Sequence, residues 1–284
     1  MIPTAFDYQR ATSLDDALAK LAAASGTAKL LAGGHSLVPL MKLRMSEPTV
    51  LIDIARIPGL SGIEEKDGKI EIGAATTHHE VATSARLREI CPVVAETAAE
   101  IGDPQVRNRG TIGGSLAHSD PSADYPAAML AVDAEIHVKG PKGWRAIKAA
   151  DFFQGFFTVD LAPDEIIAAV KFAPVRAAAY VKLHQRASHF AIVGVAAALD
   201  VSGGTIKSAR VGLTGAGTHA VRLTAVENAL AGKPASAETV RAASEHAGAE
   251  IADLNSDIHA SEAYRRAMIP VFTRRALEAA LARS

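Results

Sequence analysis

Two glycine pairs constrain this chain more than any other feature. They are Ala32-Gly33-Gly34-His35-Ser36 and Thr111-Ile112-Gly113-Gly114-Ser115. Each follows a short β-rich segment, and each ends in a small polar residue. Paired glycines permit positive φ and leave no Cβ between the backbone N–H groups and a ligand, which is what a cradle for an anionic diphosphate requires. Ser36 stands at the start of a predicted helix, where a hydroxyl and the helix dipole both favour an anion. Either pair alone reads as an ordinary turn, and Gly203-Gly204, between two strand patterns, is predicted to be one. Two such loops together can grip one diphosphate from opposite sides. No G-x-G-x-x-G opens a βαβ unit and no G-x-x-x-x-G-K-[ST] occurs, so neither a Rossmann site nor a nucleoside-triphosphatase loop has support.

The surrounding pattern is α+β. Ser13 is placed to cap a helix carrying Leu14, Leu18 and Leu21 on one face, followed by a strand at Lys29 to Ala32, a second helix from Ser36 to Arg44 and a strand at Thr49 to Ile54. Asp67-Gly68 marks a hairpin, and helical patterns run from His78 to Gly102 with a break at Pro92. Asp103 to Ser115 reads as a polar, glycine-rich loop, and Asp120 to Pro126 opens a helix ending near Ala131. Strands are predicted at Glu135 to Lys139 and Ile166 to Phe172, with Pro141-Lys142-Gly143 as the turn between them. Tyr180 to Arg186, Phe190 to Val201 and Lys207 to Thr214 read as an antiparallel meander, with alanine-rich helices after it. The expected units are 1-58, too small to hold a core of its own, then 59-176 and 177-284.

Composition removes several function classes. Thirty Lys and Arg meet 31 Asp and Glu, a net charge of -1, which gives no electrostatic footprint for nucleic acid. The N-terminus lacks a secretory pattern and no apolar run reaches membrane-spanning length, so a cytoplasmic protein is expected. Cys91 is the single cysteine, so neither a disulfide within the chain nor a cysteine-ligated iron-sulfur cluster can be built from this sequence alone.

LAGGHSLVPLMKLR (31–44) followed by DPQVRNRGTIGGSLAHSDPSADYPA (103–127) resembles the FAD-binding medium subunit of molybdenum hydroxylases, most closely the aerobic carbon monoxide dehydrogenase type. The resemblance spans essentially the whole chain. It implies a PCMH-type fold: two α+β subdomains with FAD between them, and a C-terminal domain of a three-stranded antiparallel sheet with helices. It further implies that residues 32 to 36 and 111 to 115 wrap the diphosphate, that Asp124 hydrogen-bonds the FAD ribose region, and that Ile101 and Leu161 line the cofactor. Lys182 matches a lysine near the isoalloxazine, and Phe190 stands where relatives carry a tyrosine beside the flavin, in KLHQRASHFA against their KxKRKxGDYA. Ser115 replaces an asparagine found in many relatives. In such an enzyme a large molybdenum-binding subunit and a small subunit with [2Fe-2S] clusters complete the complex, as a dimer of heterotrimers that can associate with a membrane. The flavin passes electrons from the clusters to an external acceptor.

The remaining candidates divide between function and structure. No residue is assigned a catalytic or metal-binding role. His78-His79 reads as a solvated helix end and not as a metal pair. Asp120 is expected to cap the helix near Ser122, and Cys91 to be a buried small hydrophobe. His184 and His189 are either exposed strand-end residues or neighbours of the flavin edge, and Arg107 and Arg109 face either the diphosphate, a partner or solvent. Two other functions compete: a self-contained PCMH-type flavin oxidoreductase, and an assembly subunit without cofactor. The flavin absorption of the purified chain separates the second from the rest.

Overall fold

In the computed structural model, which describes residues 2–284, three sheets follow one another along the chain. The first comprises β1 (Asp7–Arg10), β2 (Ala28–Leu31) and β3 (Val50–Asp53), all parallel, with β3 in the centre. Parallel neighbours need crossovers, supplied by α1 (Leu14–Ala23) between β1 and β2 and by α2 (Leu37–Lys42) between β2 and β3. α1 starts where expected because Ser13 Oγ accepts the Asp16 N–H at 3.0 Å, while Asp15 and Asp16 complement the dipole. Its leucines pack on a core shared with the second sheet.

β4 (Ile63–Lys66), β5 (Lys69–Gly73), β6 (Glu135–Gly140), β7 (Gly143–Lys148) and β10 (Ile166–Phe172) form the second sheet, antiparallel throughout in the order β4-β5-β10-β6-β7. The alternation along β6 turns Ile136 and Val138 into the core and leaves Glu135, His137 and Lys139 on the other face. Helices fill the long connections: α3 (His78–Thr83), α4 (Ala85–Ile90), α5 (Pro92–Ala99), α6 (Pro104–Arg107), α7 (Ile112–His118), α8 (Tyr125–Ala131) and α9 (Ala149–Phe152). A small hairpin, β8 (Phe153–Gly155) and β9 (Thr158–Val159), precedes β10.

The third sheet is an antiparallel succession of β11 (Ala178–His184), β12 (Ala191–Ser202), β13 (Thr205–Thr214) and β14 (Val221–Arg222). α10 (Thr224–Leu230), α11 (Ala237–Ser244) and α12 (Glu262–Leu281) build a separate core on it, while α5 and α8 pack against its strands from the preceding region. β12 is therefore buried almost end to end, which explains its run of alanines and valines in place of an alternating pattern. Every residue of α8 is buried. A Cβ at Gly212 on β13 would strike the Ala127 carbonyl, so this sheet and helix meet backbone to backbone.

Several expectations change. Asp103 to Ser115 is not an open loop: α6 and the start of α7 lie within it, each opened by a side-chain cap from Asp103 or Thr111. The Pro141-Lys142-Gly143 turn leads into β7, an exposed edge strand absent from the sequence reading, and does not connect directly to β10. β1, β8, β9 and β14 are likewise additional, so the last sheet has four strands and not three. Ser36 precedes α2, but its hydroxyl makes no cap hydrogen bond. Asp120 accepts the Ser122 N–H at 2.8 Å in a turn before α8, which begins only at Tyr125. His78 is buried, not solvated; its neighbour His79 is exposed.

Candidate cofactor site

The two glycine loops touch. A Cβ at Gly33 would fall onto the Arg109 carbonyl oxygen and within 2.7 Å of the Gly110 Cα, so the first loop can lie on the backbone leading into α7 only because residue 33 has no side chain. Gly34 adopts φ +76°, a conformation that turns the chain from β2 toward α2 at little cost for glycine alone. The backbone N–H groups of Gly33, Gly34, His35 and Ser36 have no partner within the chain. The His35 ring turns back to its own loop, with Nδ1 3.2 Å from the Gly33 carbonyl.

The second loop is built differently. Ile112 donates its N–H to Thr76, Gly113 to Ala74, Gly114 to the Thr111 hydroxyl and Ser115 to the Thr111 carbonyl. Those amides are spent inside the protein, so the pair Gly113-Gly114 acts here through close approach: a Cβ at Gly113 would lie 2.5 Å from the Ala74 Cβ. Gly114 and Ser115 retain exposure on the loop's outer side. The Arg109 side chain is exposed and bonds to nothing in the chain, whereas Arg107 holds the carbonyls of Ile101 and Gly102 at 3.0 and 2.9 Å.

Asp124, Tyr180 and Lys182 form a buried ionic centre. Asp124, at the start of α8, receives the Tyr180 hydroxyl at 2.5 Å and the Lys182 ammonium at 2.9 Å, both on Oδ1. Tyr180 and Lys182 alternate along β11, so the strand repeat delivers both to one face. Lys182 is fully buried as a side chain and also donates to the carbonyls of Glu100 and His189, each at 2.7 Å. Burial pushes the Asp124 carboxyl up to about 6, against the opposing pull of Lys182 and the Tyr180 hydrogen bond. Its Oδ2 has no partner in the chain. Gly194 makes room for this arrangement, since a Cβ there would strike the Tyr180 hydroxyl.

Sequence reasoning named Asp124 and Lys182 separately and missed Tyr180 and Gly194. The alternation of Tyr180 with Lys182 was the available signal for the first. Ile101 and Leu161 are half-buried against the main core, and Phe190 is 48% exposed. Phe190 follows the turn after β11, whose His184 and His189 rings stack 5.2 Å apart. His78 lies under the second loop, its Nε2 close to where a Gly110 side chain would be, and its ring 5.3 Å from Tyr125. Burial drives its pKa down to about 3, so the ring is neutral. The Cys91 thiol is pushed up to about 12 by burial, consistent with an inert packing residue.

Residues 4–174 match the family described as "FAD binding domain in molybdopterin dehydrogenase", and residues 178–280 match "CO dehydrogenase flavoprotein C-terminal domain". The chain belongs to this flavoprotein family. The carbon monoxide dehydrogenase medium chain of Hydrogenophaga pseudoflava is 40% identical over 286 residues, covering 100% of this chain and 99% of that one. The alpha subunit of the 6-hydroxypseudooxynicotine dehydrogenase complex of Paenarthrobacter nicotinovorans is 38% identical, with 100% and 97% covered. Among solved structures, carbon monoxide dehydrogenase from H. pseudoflava superposes with a TM-score of 0.95 at 41% identity, covering 100% of this chain and 99% of that one. Quinoline 2-oxidoreductase from Pseudomonas putida 86 gives 0.92 at 30%, with 99% of each covered.

Membership in this flavoprotein family makes FAD the cofactor of the chain, and the residues present fit it. Four free backbone N–H groups, a contact that tolerates no Cβ and an exposed arginine suit a diphosphate. A buried carboxylate with one open oxygen suits a ribose hydroxyl. Among the described residues no group of three or more His, Cys, Asp or Glu is placed to hold a metal, and no helix is long and apolar enough to cross a membrane. Relatives of near-equal identity carry different substrates in their names, so similarity in this chain sorts the flavoprotein and not the compound oxidised.

Proposed function

We propose that this chain is the FAD-carrying electron-transfer subunit of a molybdenum hydroxylase of carbon monoxide dehydrogenase type, working with a large molybdenum-binding subunit and a small iron-sulfur subunit. The observation that carries this reading is the closure of loop 33–36 onto Arg109 and Gly110, with the first loop's amides left free. Bound FAD supplies the redox chemistry, accepting electrons from the partner's [2Fe-2S] clusters and yielding them to an external acceptor.

The chain's own residues bind and orient. Gly33 to Ser36 donate N–H groups to the diphosphate from one side, and Thr111 to Ser115 close the other. Asp124 accepts a ribose hydroxyl on Oδ2 while Tyr180 and Lys182 fix Oδ1. Ile101 and Leu161 line the apolar wall, and Phe190 offers a ring face that replaces a phenol without losing the stacking surface. Lys182, whose three protons go to Asp124 and two backbone carbonyls, holds that carboxylate in place and would stand near the isoalloxazine of bound FAD. No side chain here needs to act as acid or base.

In this reading the chain divides near residues 58 and 176, the complex is a cytoplasmic dimer of heterotrimers, and any membrane association belongs to the complex. Two measurements test it. Acid denaturation of the holoprotein releases free FAD; flavin retained on the precipitated polypeptide counts against noncovalent binding. Substrate then reduces the flavin only when both partners are present, and reduction in the chain alone would favour a self-contained flavoenzyme.

A further inference from the structure

A cleft of about 570 Å3 opens between the outer face of α5 and the end of α12, and none of its lining residues is assigned to FAD. Three guanidinium groups border it: Arg88 in the last turn of α4, Arg176 before β11, and Arg283 just past α12. Its two carboxylates are already matched. Glu89 pairs with Arg86 at 2.8 Å, and Glu96 pairs with Arg283 and accepts the Tyr180 N–H at 3.1 Å.

The arginines are not matched in turn. The Arg88 side chain uses only Nε, on the Ala82 carbonyl at 3.0 Å, and the Arg176 side chain is exposed and bonds to nothing in the chain. Two guanidinium forks therefore border one trough with their terminal nitrogens uncommitted. Between them Ala95 and Ala99, about one helical turn apart on α5, give an apolar floor of small side chains. A guanidinium fork matches the two oxygens of a carboxylate or phosphate in geometry as well as in charge, and a cleft of this volume lies in the range of small-molecule sites.

We propose that this cleft binds a small organic anion with carboxylate or phosphate groups, whose oxyanions engage Arg88 and Arg176 and whose carbon skeleton lies on Ala95 and Ala99. It lies where α5 meets the start of β11 and the end of α12, at the junction between the FAD-binding region and the C-terminal sheet. Glu96 is the shared residue, because it holds both Arg283 and the backbone of Tyr180.

Isothermal titration of the full FAD-loaded chain with glutarate and with inorganic pyrophosphate tests this. The expected result is saturable binding of one probe, weakened by added salt as for any charged site, and the probe that binds identifies carboxylate or phosphate as the preferred group. Arg176→Ala and Arg88→Ala should each weaken binding tenfold or more, and Arg176→Lys should fail to restore it fully because the fork is lost. FAD content should stay unchanged in the Arg176 variants, since that side chain bonds to nothing. Absence of saturable binding by both probes, or binding indifferent to both alanine substitutions, would overturn the proposal. So would loss of binding on assembly with the partner subunits, which would reassign the cleft to an acidic segment of a partner.

Discussion

Asp124 and His78 are displaced from their ordinary titration ranges in opposite directions, and both shifts originate in burial. For His78 the folded pKa, about 3, lies below the ordinary 6.5, so its stabilising contribution is complete above 6.5 and is lost as pH falls toward 3. For Asp124 the folded value, about 6, lies above 3.8, so its contribution is complete below 3.8 and is lost as pH rises through 6. The two partly cancel in the native protein. His78→Phe removes the first alone, and urea unfolding at pH 5 and pH 7 should show about 2 kcal/mol less acid destabilisation than in the native chain; an unchanged difference would mean that the ring is not held neutral. Tyr180→Phe removes one hydrogen bond to Asp124 while keeping the Lys182 pair. It should cost about 1.5 to 3 kcal/mol in thermal or urea unfolding and lower the FAD retained per polypeptide, whereas wild-type stability would show that the hydroxyl contributes nothing there.

At the scale of elements, the packing of loop 33–36 on the segment before α7 is the contact to break. Gly33→Val places a branched side chain against the Arg109 carbonyl, and backbone cannot yield as the far end of a side chain can. The loops must separate, and losing even one charge-assisted hydrogen bond costs about 1.5 to 3 kcal/mol, roughly ten- to a hundredfold in FAD affinity. Gly203→Ala is the control: it strains a hairpin residue at φ +58° with open space around it, and should lower stability slightly without touching FAD content directly. Fluorescence titration of the two apoproteins with FAD measures both, and equal affinities would remove the first loop from the site.

For the whole molecule, the decisive property is what one chain cannot contain. A single buried cysteine cannot ligate an iron-sulfur cluster, and among the described residues no metal-holding cluster exists. The FAD-loaded chain alone should therefore leave its flavin oxidised when substrate is added under anaerobic conditions. Addition of both partner subunits should bleach the flavin absorbance and start transfer to an artificial acceptor, while either partner singly should not. Bleaching in the pure chain would transfer the substrate site to this polypeptide.

The sequence by itself determined the elements whose signals are local. Ser13 and the leucines after it made α1 legible, Asp67-Gly68 made the β4–β5 hairpin legible, apolar runs marked β10 and β12, and the Gly203-Gly204 turn marked the start of β13. The glycine pairs were singled out through their chemistry, and Asp124 and Lys182 through family resemblance alone. What it did not determine rests on partners far away in the chain. β1 and β7 carry polar, exposed residues and become strands only because a neighbour's edge supplies their hydrogen bonds. His78 looked like a solvated helix end because the residues that bury it, Tyr125 and the backbone at Gly110, arrive from other segments. The pairing of Tyr180 and Lys182 with one oxygen of Asp124 depends on β11 lying beside the start of α8, and the closure of loop 33–36 depends on Gly33 meeting Arg109. Local sequence sets propensity over a few residues, whereas burial and charge pairing are decided by which surfaces the whole chain brings together.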